Sequence, residues 1–263
     1  MLGEVGAALW AELLKVRRSL VPWVSLAAFT LAGVVGALFM FVWVDPQRAR
    51  ALGLLGAKAQ LATGTADWAG YLALVAQIVA VGGLLVFGMV SIWLFGREFS
   101  DGTLTDLLAL PTSRSAIVVA KLLVAAGWCL ALTAYVTTLS LASGLLLALP
   151  GWSASVATLG LGTIALTAAL TIALTTAYAL VASLGRGYLS AIAAMFFTLF
   201  AAQVITALGY GEWFPWSVPA LLSGIAGHEQ GPPGLLGAAG VVIVGIAGAL
   251  GTAWWWERAD HNR

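Results

Sequence analysis

The chain is organised as long, uninterrupted apolar runs separated by short polar segments. Each run has about 20 residues or more, the length that a helix needs to cross roughly 30 Å of hydrocarbon. The runs do not alternate apolar and polar positions as a membrane β-strand does. They predict an all-α membrane protein with one domain over residues 1–263 and six spans. The predicted spans are residues 21–44, 71–95, 117–149, 155–184, 188–208 and 235–256.

The segment before the first span shows helical periodicity. Apolar residues recur every three or four positions: Leu2, Val5, Leu9, Leu13, Val16 and Leu20. The opposite face is charged and carries Glu4, Glu12, Lys15 and Arg18. This spacing predicts an amphipathic helix over residues 1–20 that lies in the membrane interface. Periodicity alone fits a simple membrane anchor and a docking element equally well.

Composition supports the membrane assignment, because 61% of the residues are hydrophobic and 9% are charged. Those values are far from the averages of soluble domains, and we expect no soluble domain. The one cysteine, Cys129, has no internal partner, and His228 and His261 lie in different loops. We therefore predict no disulfide and no metal site. No nucleic-acid partner is expected either.

Positive charge is distributed unevenly between the two faces that six spans create. One face would carry nine of the 12 Lys and Arg residues, and the other would carry Arg48, Arg50 and Lys58. Short loops rich in Lys and Arg stay in the cytoplasm. The pattern predicts that both termini are cytoplasmic, in a multi-pass membrane protein.

The sequence supports neither an ATP site of the P-loop kind nor a proton relay within this chain. None of the three lysines lies in a G-x-x-x-x-G-K-[ST] loop, so an ATP site of that kind is not predicted. All 11 acidic residues lie in predicted loops or at span ends, which disfavours a proton relay or a hydrolase inside the membrane. Energy would therefore come from another subunit.

Uncharged polar residues and glycines occur inside the spans. Thr163, Thr167, Thr171 and Thr175 follow a four-residue spacing that is typical of hydroxyls bonded to backbone carbonyls. Gln77 and Gln203 must face another helix or a wet cavity. The last span carries a glycine stripe that predicts close intramolecular helix packing: Gly237, Gly240, Gly248 and Gly251.

Residues 96–114, here called the polar loop, concentrate charge between the second and third spans. Gly96 is predicted to end the second span, and Ser100-Asp101-Gly102 is predicted to form a turn. A short amphipathic helix is expected to follow and to stop at Pro111. Such a helix fits a docking element, and equally a loop that rests on lipid headgroups.

The polar loop also carries a family resemblance. The stretch "GREFSDGTLTDLLALPTSRSAIVVAKLL" resembles the segment between the second and third spans of type-2 ABC transporter permeases. The amphipathic "LWAELLKVRRS" resembles the connecting helix of the same family, and the layout of six spans agrees with it. The resemblance covers the chain from end to end.

The resemblance implies partners that this chain does not contain. Residues 96–112 would form a coupling helix seated in a separate ATPase, and the connecting helix would lie beside it. The implied docking residues are Arg97, Glu98, Asp101, Thr103, Leu104, Asp106, Leu107, Leu108, Glu12 and Lys15. Two ATPase copies would hold ATP and Mg²⁺, with no cofactor in this chain. A second copy of this chain would complete a homodimer, or a similar permease would complete a heterodimer. Membrane lipid would surround either assembly.

The family also implies a substrate path along the second and fifth spans. Its candidates here are Gln77, Phe196, Phe197, Phe200 and Gln203. Residues 209–234 would form short re-entrant helices above the exit, and their "FPWSVP" is similar to permeases of peptide-antibiotic and bacitracin-type systems.

The sequence thus predicts the non-enzymatic membrane subunit of an ATP-driven exporter of amphipathic drugs, peptide antibiotics or lipid-like molecules. Export of a polyketide, a lipid or an ion by the same machinery stays open. So does a membrane subunit for immunity or sensing that binds a toxin or partner without moving a substrate.

Overall fold

The protein is described by a computed structural model, which covers residues 2–53, 65–108, 111–225 and 233–258. The described part is helical and contains six helices that are long and apolar enough to cross a membrane. These are α2 (Val21–Val44), α4 and α5 together (Trp68–Ser100), α7 (Arg114–Leu146), α8 (Ala154–Leu184), α9 (Tyr188–Ala207) and α11 (Leu235–Arg258). The six predicted spans and the all-α class are confirmed.

Shorter helices occupy the connections. They are α1 (Leu2–Arg17), α3 (Pro46–Ala51), α6 (Leu104–Leu108) and α10 (Val218–Leu222). The end of the bundle that holds α1, α6 and the last turn of α11 is called the terminus side. On the opposite side, carboxylates cap two helices as N-caps should: Asp45 accepts from the Arg48 amide at 2.9 Å, and Asp67 from the Gly70 amide at 2.8 Å.

The second span is longer than predicted and changes its winding. A π-helical stretch, Ile78–Gly82, separates α4 (Trp68–Gln77) from α5 (Gly83–Ser100). The helix continues through Gly96 to Ser100. The glycine there allows a close contact between helices, since a Cβ would lie 2.7 Å from Cδ1 of Tyr188. The prediction that the second span ends at Gly96 is therefore wrong, and residues 96–100 belong to α5.

The fourth span, α8, lies at the centre of the bundle and packs against α4, α5, α9 and α11. Its threonines satisfy backbone carbonyls largely as predicted: Thr171 donates to Thr167 O at 2.8 Å, and Thr175 to Ile172 O at 2.7 Å. The first span, α2, is peripheral. It is joined to α7 by bonds from Thr30 to Tyr135 (2.7 Å) and from Trp128 to Ser25 (3.1 Å).

The glycine stripe of α11 lets two helix backbones meet, as the sequence predicts. A Cβ at Gly248 would lie 2.5 Å from Oγ1 of Thr176 and 2.6 Å from the Ala177 backbone nitrogen. Beside it, Thr176 donates to the Gly245 carbonyl at 2.8 Å. The remaining stripe positions contact α8 or the residues around α10.

Gly248→Ala is expected to destabilise the protein by about 1–3 kcal/mol, because α11 must move away from α8. Loss of monodisperse protein in detergent and a lower apparent Tm measure the effect. Gly162→Ala is the matched control on α8, since no atom lies within 4 Å of the added methyl. Equal Tm values for the two variants would show that the close approach is unimportant.

Candidate functional site

A buried ion network forms the polar centre of the terminus side. It consists of Glu12 and Lys15 on α1, Glu98 on α5 and Lys121 on α7. The Lys121 ammonium is fully buried, and each of its three hydrogens has an acceptor. These are Glu12 Oε2 at 3.0 Å, Glu98 Oε1 at 2.8 Å and the Leu94 carbonyl at 2.9 Å. A lysine can therefore occupy an apolar region without an unsatisfied donor.

Lys15 completes the network at its edge. Its ammonium donates to Glu12 Oε1 and Glu98 Oε1, both at 2.7 Å, so each carboxylate contacts both lysines. Two acidic and two basic groups give the network no net charge. Burial works to lower the pKa of Lys15, but the adjacent Glu12 and Glu98 outweigh that effect and raise the pKa above its ordinary value. Its stabilising contribution is therefore present at neutral pH and is lost only as the pH rises through that raised, alkaline pKa.

The network is bonded to the short helix α6. The Thr103 hydroxyl, at the start of α6, donates to Glu98 Oε2 at 2.6 Å. Leu104 is buried in the apolar cluster that also contains Val16, Phe95 and Ile117, and Leu107 packs against the same cluster. The turn between α5 and α6 is allowed by Gly102, whose φ is +69°. Four helices, α1, α5, α6 and α7, are thus tied together at one point.

The other predicted docking residues lie around α6 with varied exposure. Asp101 and Asp106 are exposed, whereas Arg97 is partly buried over the Trp93 ring, with its guanidinium carbon 4.7 Å from the ring centroid. The side chain of Leu108 and residues 109–110 lie outside the described residues. Within the described residues, the helix after the turn begins at Leu104, and residues 96–100 of the predicted range 96–112 belong to α5.

The structure changes the interpretation of Glu12 and Glu98. Glu12 was predicted on the polar face, but it lies on the buried face with Ala8 and Val16 at four-residue spacing, so that assignment is wrong. Its inward position is stable because two lysines neutralise it. Glu12 and Glu98 are each only 2% exposed, so in this arrangement they position α1 and α6 and present almost no surface to a partner.

Lys121 was absent from the predicted site, although it is the centre of the network. A usable signal was present in the sequence: "VVAKLLVAA" places a lysine inside a predicted span, where an ionisable group requires a partner. Its position near the end of the span favoured a simple cytoplasmic charge instead. Among the described residues, no group of three or more His, Cys, Asp or Glu side chains is arranged to hold a metal ion.

Two of the predicted substrate-path residues, Gln77 and Gln203, lie beside residues 211–225, here called the α10 segment. Gln77 is partly buried, and its amide lies 3.4 Å from the Ser223 carbonyl, at the limit for a hydrogen bond. Gln203 is exposed and lines a cavity of about 110 Å³ together with Ala80, Trp216 and Ala220. Gln77 thus bonds to this segment from the second span, and Gln203 shares a cavity with it from the fifth.

The α10 segment folds back along the spans. The Ser217 hydroxyl donates to the Ala202 carbonyl at 3.2 Å, and Val218 packs against Leu174 of α8 and Val241 of α11. Ala202 lies five residues before the end of α9, which corresponds to a depth of about 8 Å along that helix. Residues 226–232, in the same predicted loop, lie outside the described residues.

The three phenylalanines of the predicted path lie on the outer face of α9. Phe196 is 55% exposed, and Phe197 and Phe200 are each 73% exposed. Among the described residues of one chain, they therefore line no enclosed cavity. They form an apolar face that meets either lipid or another chain.

The fold and the ion network together define a multi-pass membrane protein with a short helix anchored at one end of its bundle. The chain belongs to the family of ABC-2 family transporter proteins, whose model matches residues 8–202. It is thus a membrane subunit of an ABC transporter.

A curated relative adds detail to the family assignment. The chain is 34% identical over 79 residues to the bacitracin transport permease protein BCRB of Bacillus licheniformis. The match covers 30% of this chain and 38% of the relative, well under half the length of either protein. No solved structure matches the chain significantly.

Proposed function

We propose that this chain is the permease of an ATP-driven exporter, powered by two separate ATPase subunits that hold ATP and Mg²⁺. Both termini are then cytoplasmic, in a bacterial plasma membrane. The observation that carries the proposal is the bonded path from α6 through Thr103 to Glu98, and from Glu98 through Lys121 to α1 and α7.

That path gives α6 the properties of a lever. A partner that grips the exposed Asp101 and Asp106 would displace α6 as a unit, because Leu104 and Thr103 hold it to the core. The displacement would reach α1, α5 and α7 together. Thr103 is hydrogen-bonded to Glu98 of α5, and Glu98 is bonded to Lys15 of α1 and Lys121 of α7. The sequence has no G-x-x-x-x-G-K-[ST] loop, so in this proposal the driving energy comes from the ATPase subunits.

The proposed substrate is an amphipathic molecule, with a peptide antibiotic favoured by the name of the curated relative. Gln203 and the cavity beside it, with Gln77 across the α10 segment, provide a few polar groups in apolar surroundings. The π-helical stretch contributes Ala80 and Val81 to the cavity wall, and such stretches frequently occur at functional sites. The exposed phenylalanines of α9 would face the path between two permease copies.

The decisive experiment isolates the protein from its native membranes in mild detergent and reconstitutes it into vesicles with any ATPase that copurifies. We expect bacitracin to stimulate ATP hydrolysis, and transport to persist when an uncoupler collapses the proton gradient. Asp106→Arg is expected to abolish both the association and the stimulated hydrolysis, because the exposed charge of α6 is reversed. Glu212→Arg, which reverses an exposed acid on the opposite side, is the matched control.

The outcomes separate the alternatives. Transport that stops with the proton gradient while ATP remains would identify a secondary carrier and contradict the proposal. A stable complex without stimulated hydrolysis or transport would favour an immunity or sensing subunit. Unchanged activity in Asp106→Arg would place the ATPase contact elsewhere.

A further inference from the structure

A lateral groove opens between the first and second spans on the terminus side. Its volume is about 330 Å³, within the roughly 300–1,000 Å³ range of ligand pockets. One wall comes from α2, the other from α5, and the lining is almost entirely apolar. The lining residues are Leu20, Val21, Val24, Ser25, Ala28, Leu85, Val86, Met89, Val90 and Trp93.

The groove exists because α2 is attached to α7 and diverges from α5. Ser25 and Thr30 hold α2 to α7 through Trp128 and Tyr135. Next to the groove, α2 and α5 contact each other through Phe29 and Phe87, whose rings stack with centroids 5.6 Å apart. From Leu20 to Ala28 the helix rises about 12 Å, close to the half-thickness of a hydrocarbon core of roughly 30 Å.

Cationic side chains lie where the groove meets the membrane surface. Arg97 stacks on Trp93, which lines the groove, and Arg18 is exposed two residues before Leu20. The Arg97 side chain is 23% exposed, and its ion-pair contact with Asp101 is long, at 3.8 Å. The mouth therefore offers guanidinium donors to an anion, whereas the interior offers only apolar surface.

We propose that the groove binds a single anionic phospholipid from the leaflet on the terminus side. One acyl chain fills the apolar interior, and the phosphate accepts hydrogen bonds from Arg97 and Arg18. Guanidinium groups are well suited to phosphate. The groove is open to the hydrocarbon of the bilayer, so an acyl chain can fill it. An empty groove would lose dispersion contacts along its whole lining. The proposal is independent of the transport function.

The test uses detergent-purified protein and a phosphatidylglycerol with a photoreactive group in its acyl chain, followed by mass-spectrometric mapping of the labelled peptides. We expect labels on residues 20–28 and 85–93. Val24→Trp is expected to lower labelling there about tenfold, because the indole takes the place of several methylene groups. Val34→Trp is the matched control: Val24 and Val34 are 66% and 54% exposed on α2, but Val34 does not line the groove.

A competition experiment measures the contribution of the lipid headgroup to binding. Unlabelled phosphatidylglycerol is expected to compete better than phosphatidylcholine, and diacylglycerol is expected to compete least. Arg18→Gln should weaken binding of phosphatidylglycerol about fivefold, as expected for one interfacial arginine, and leave binding of diacylglycerol unchanged.

Three results would overturn the proposal. Labels spread over all exposed apolar faces would indicate bulk lipid, and undiminished labelling in Val24→Trp would place the chain elsewhere. If Met89→Cys instead crosslinks two copies of the protein, the groove is an interface between subunits.

Discussion

Lys121→Met is expected to destabilise the protein by about 3–5 kcal/mol, because the change leaves two buried carboxylates with one partly exposed lysine between them. Methionine preserves most of the volume of the side chain, so the effect reports charge and hydrogen bonds more than packing. The three acceptors of the Lys121 ammonium would lose their donor together. We expect a large fall in the apparent Tm in detergent, measured by tryptophan fluorescence. Recovery of monodisperse protein should fall as well.

Two further variants test the electrostatic explanation. Lys15→Met removes the same charge from a side chain that is 27% exposed, so we expect a clearly smaller loss. Glu98→Gln combined with Lys121→Met restores neutrality with Glu12 and Lys15, and the double variant should be more stable than Lys121→Met alone. Additive losses in the double variant would show that the network is not a coupled unit.

Leu107→Pro is expected to abolish substrate-stimulated ATP hydrolysis by the assembled transporter while the permease still folds. The Leu107 amide donates to the Thr103 carbonyl at 3.1 Å, a bond that proline cannot make. Without it, α6 has no regular turn with which to transmit movement from a partner to Thr103 and Glu98. The measurement is hydrolysis with and without bacitracin, alongside the apparent Tm of the isolated permease.

Leu107→Ala is the matched control, since it shortens the same side chain but keeps the amide. It should retain most of the stimulation that Leu107→Pro loses. If both variants are equally inactive, the side chain and not the helical turn makes the contact. If Leu107→Pro keeps full stimulation, α6 is not the lever.

The spans could be predicted closely because the bilayer imposes their length and apolar character directly on the sequence. The first span was predicted at the bounds that the structure shows, and the predicted turn is present at Asp101-Gly102, although Ser100 belongs to α5. The docking role of the polar loop and the substrate path stay predictions. For the path, the structure adds that Gln77 lies against the Ser223 carbonyl, that Gln203 lines a cavity and that the phenylalanines face outward.

The ion network was harder to predict, because it joins residues that are far apart in sequence. Glu12 appeared to belong to the charged face of α1, since nothing near it in the sequence reveals that Lys121 lies opposite. The continuation of α5 through Gly96 was missed for a similar reason: the glycine permits a contact with Tyr188 of another span. A local pattern cannot distinguish that use of glycine from a helix end.

Taken alone, the sequence determined the class of the protein, its six apolar helices and the presence of a polar loop between the second and third, because hydrophobicity and turn chemistry act over neighbouring residues. The tertiary structure decided which charges are buried together, where α2 leaves a groove beside α5, and how α6 is held. Those features depend on side chains from separate helices meeting in an apolar interior, where an ammonium is stable only if carboxylates and carbonyls from other elements surround it.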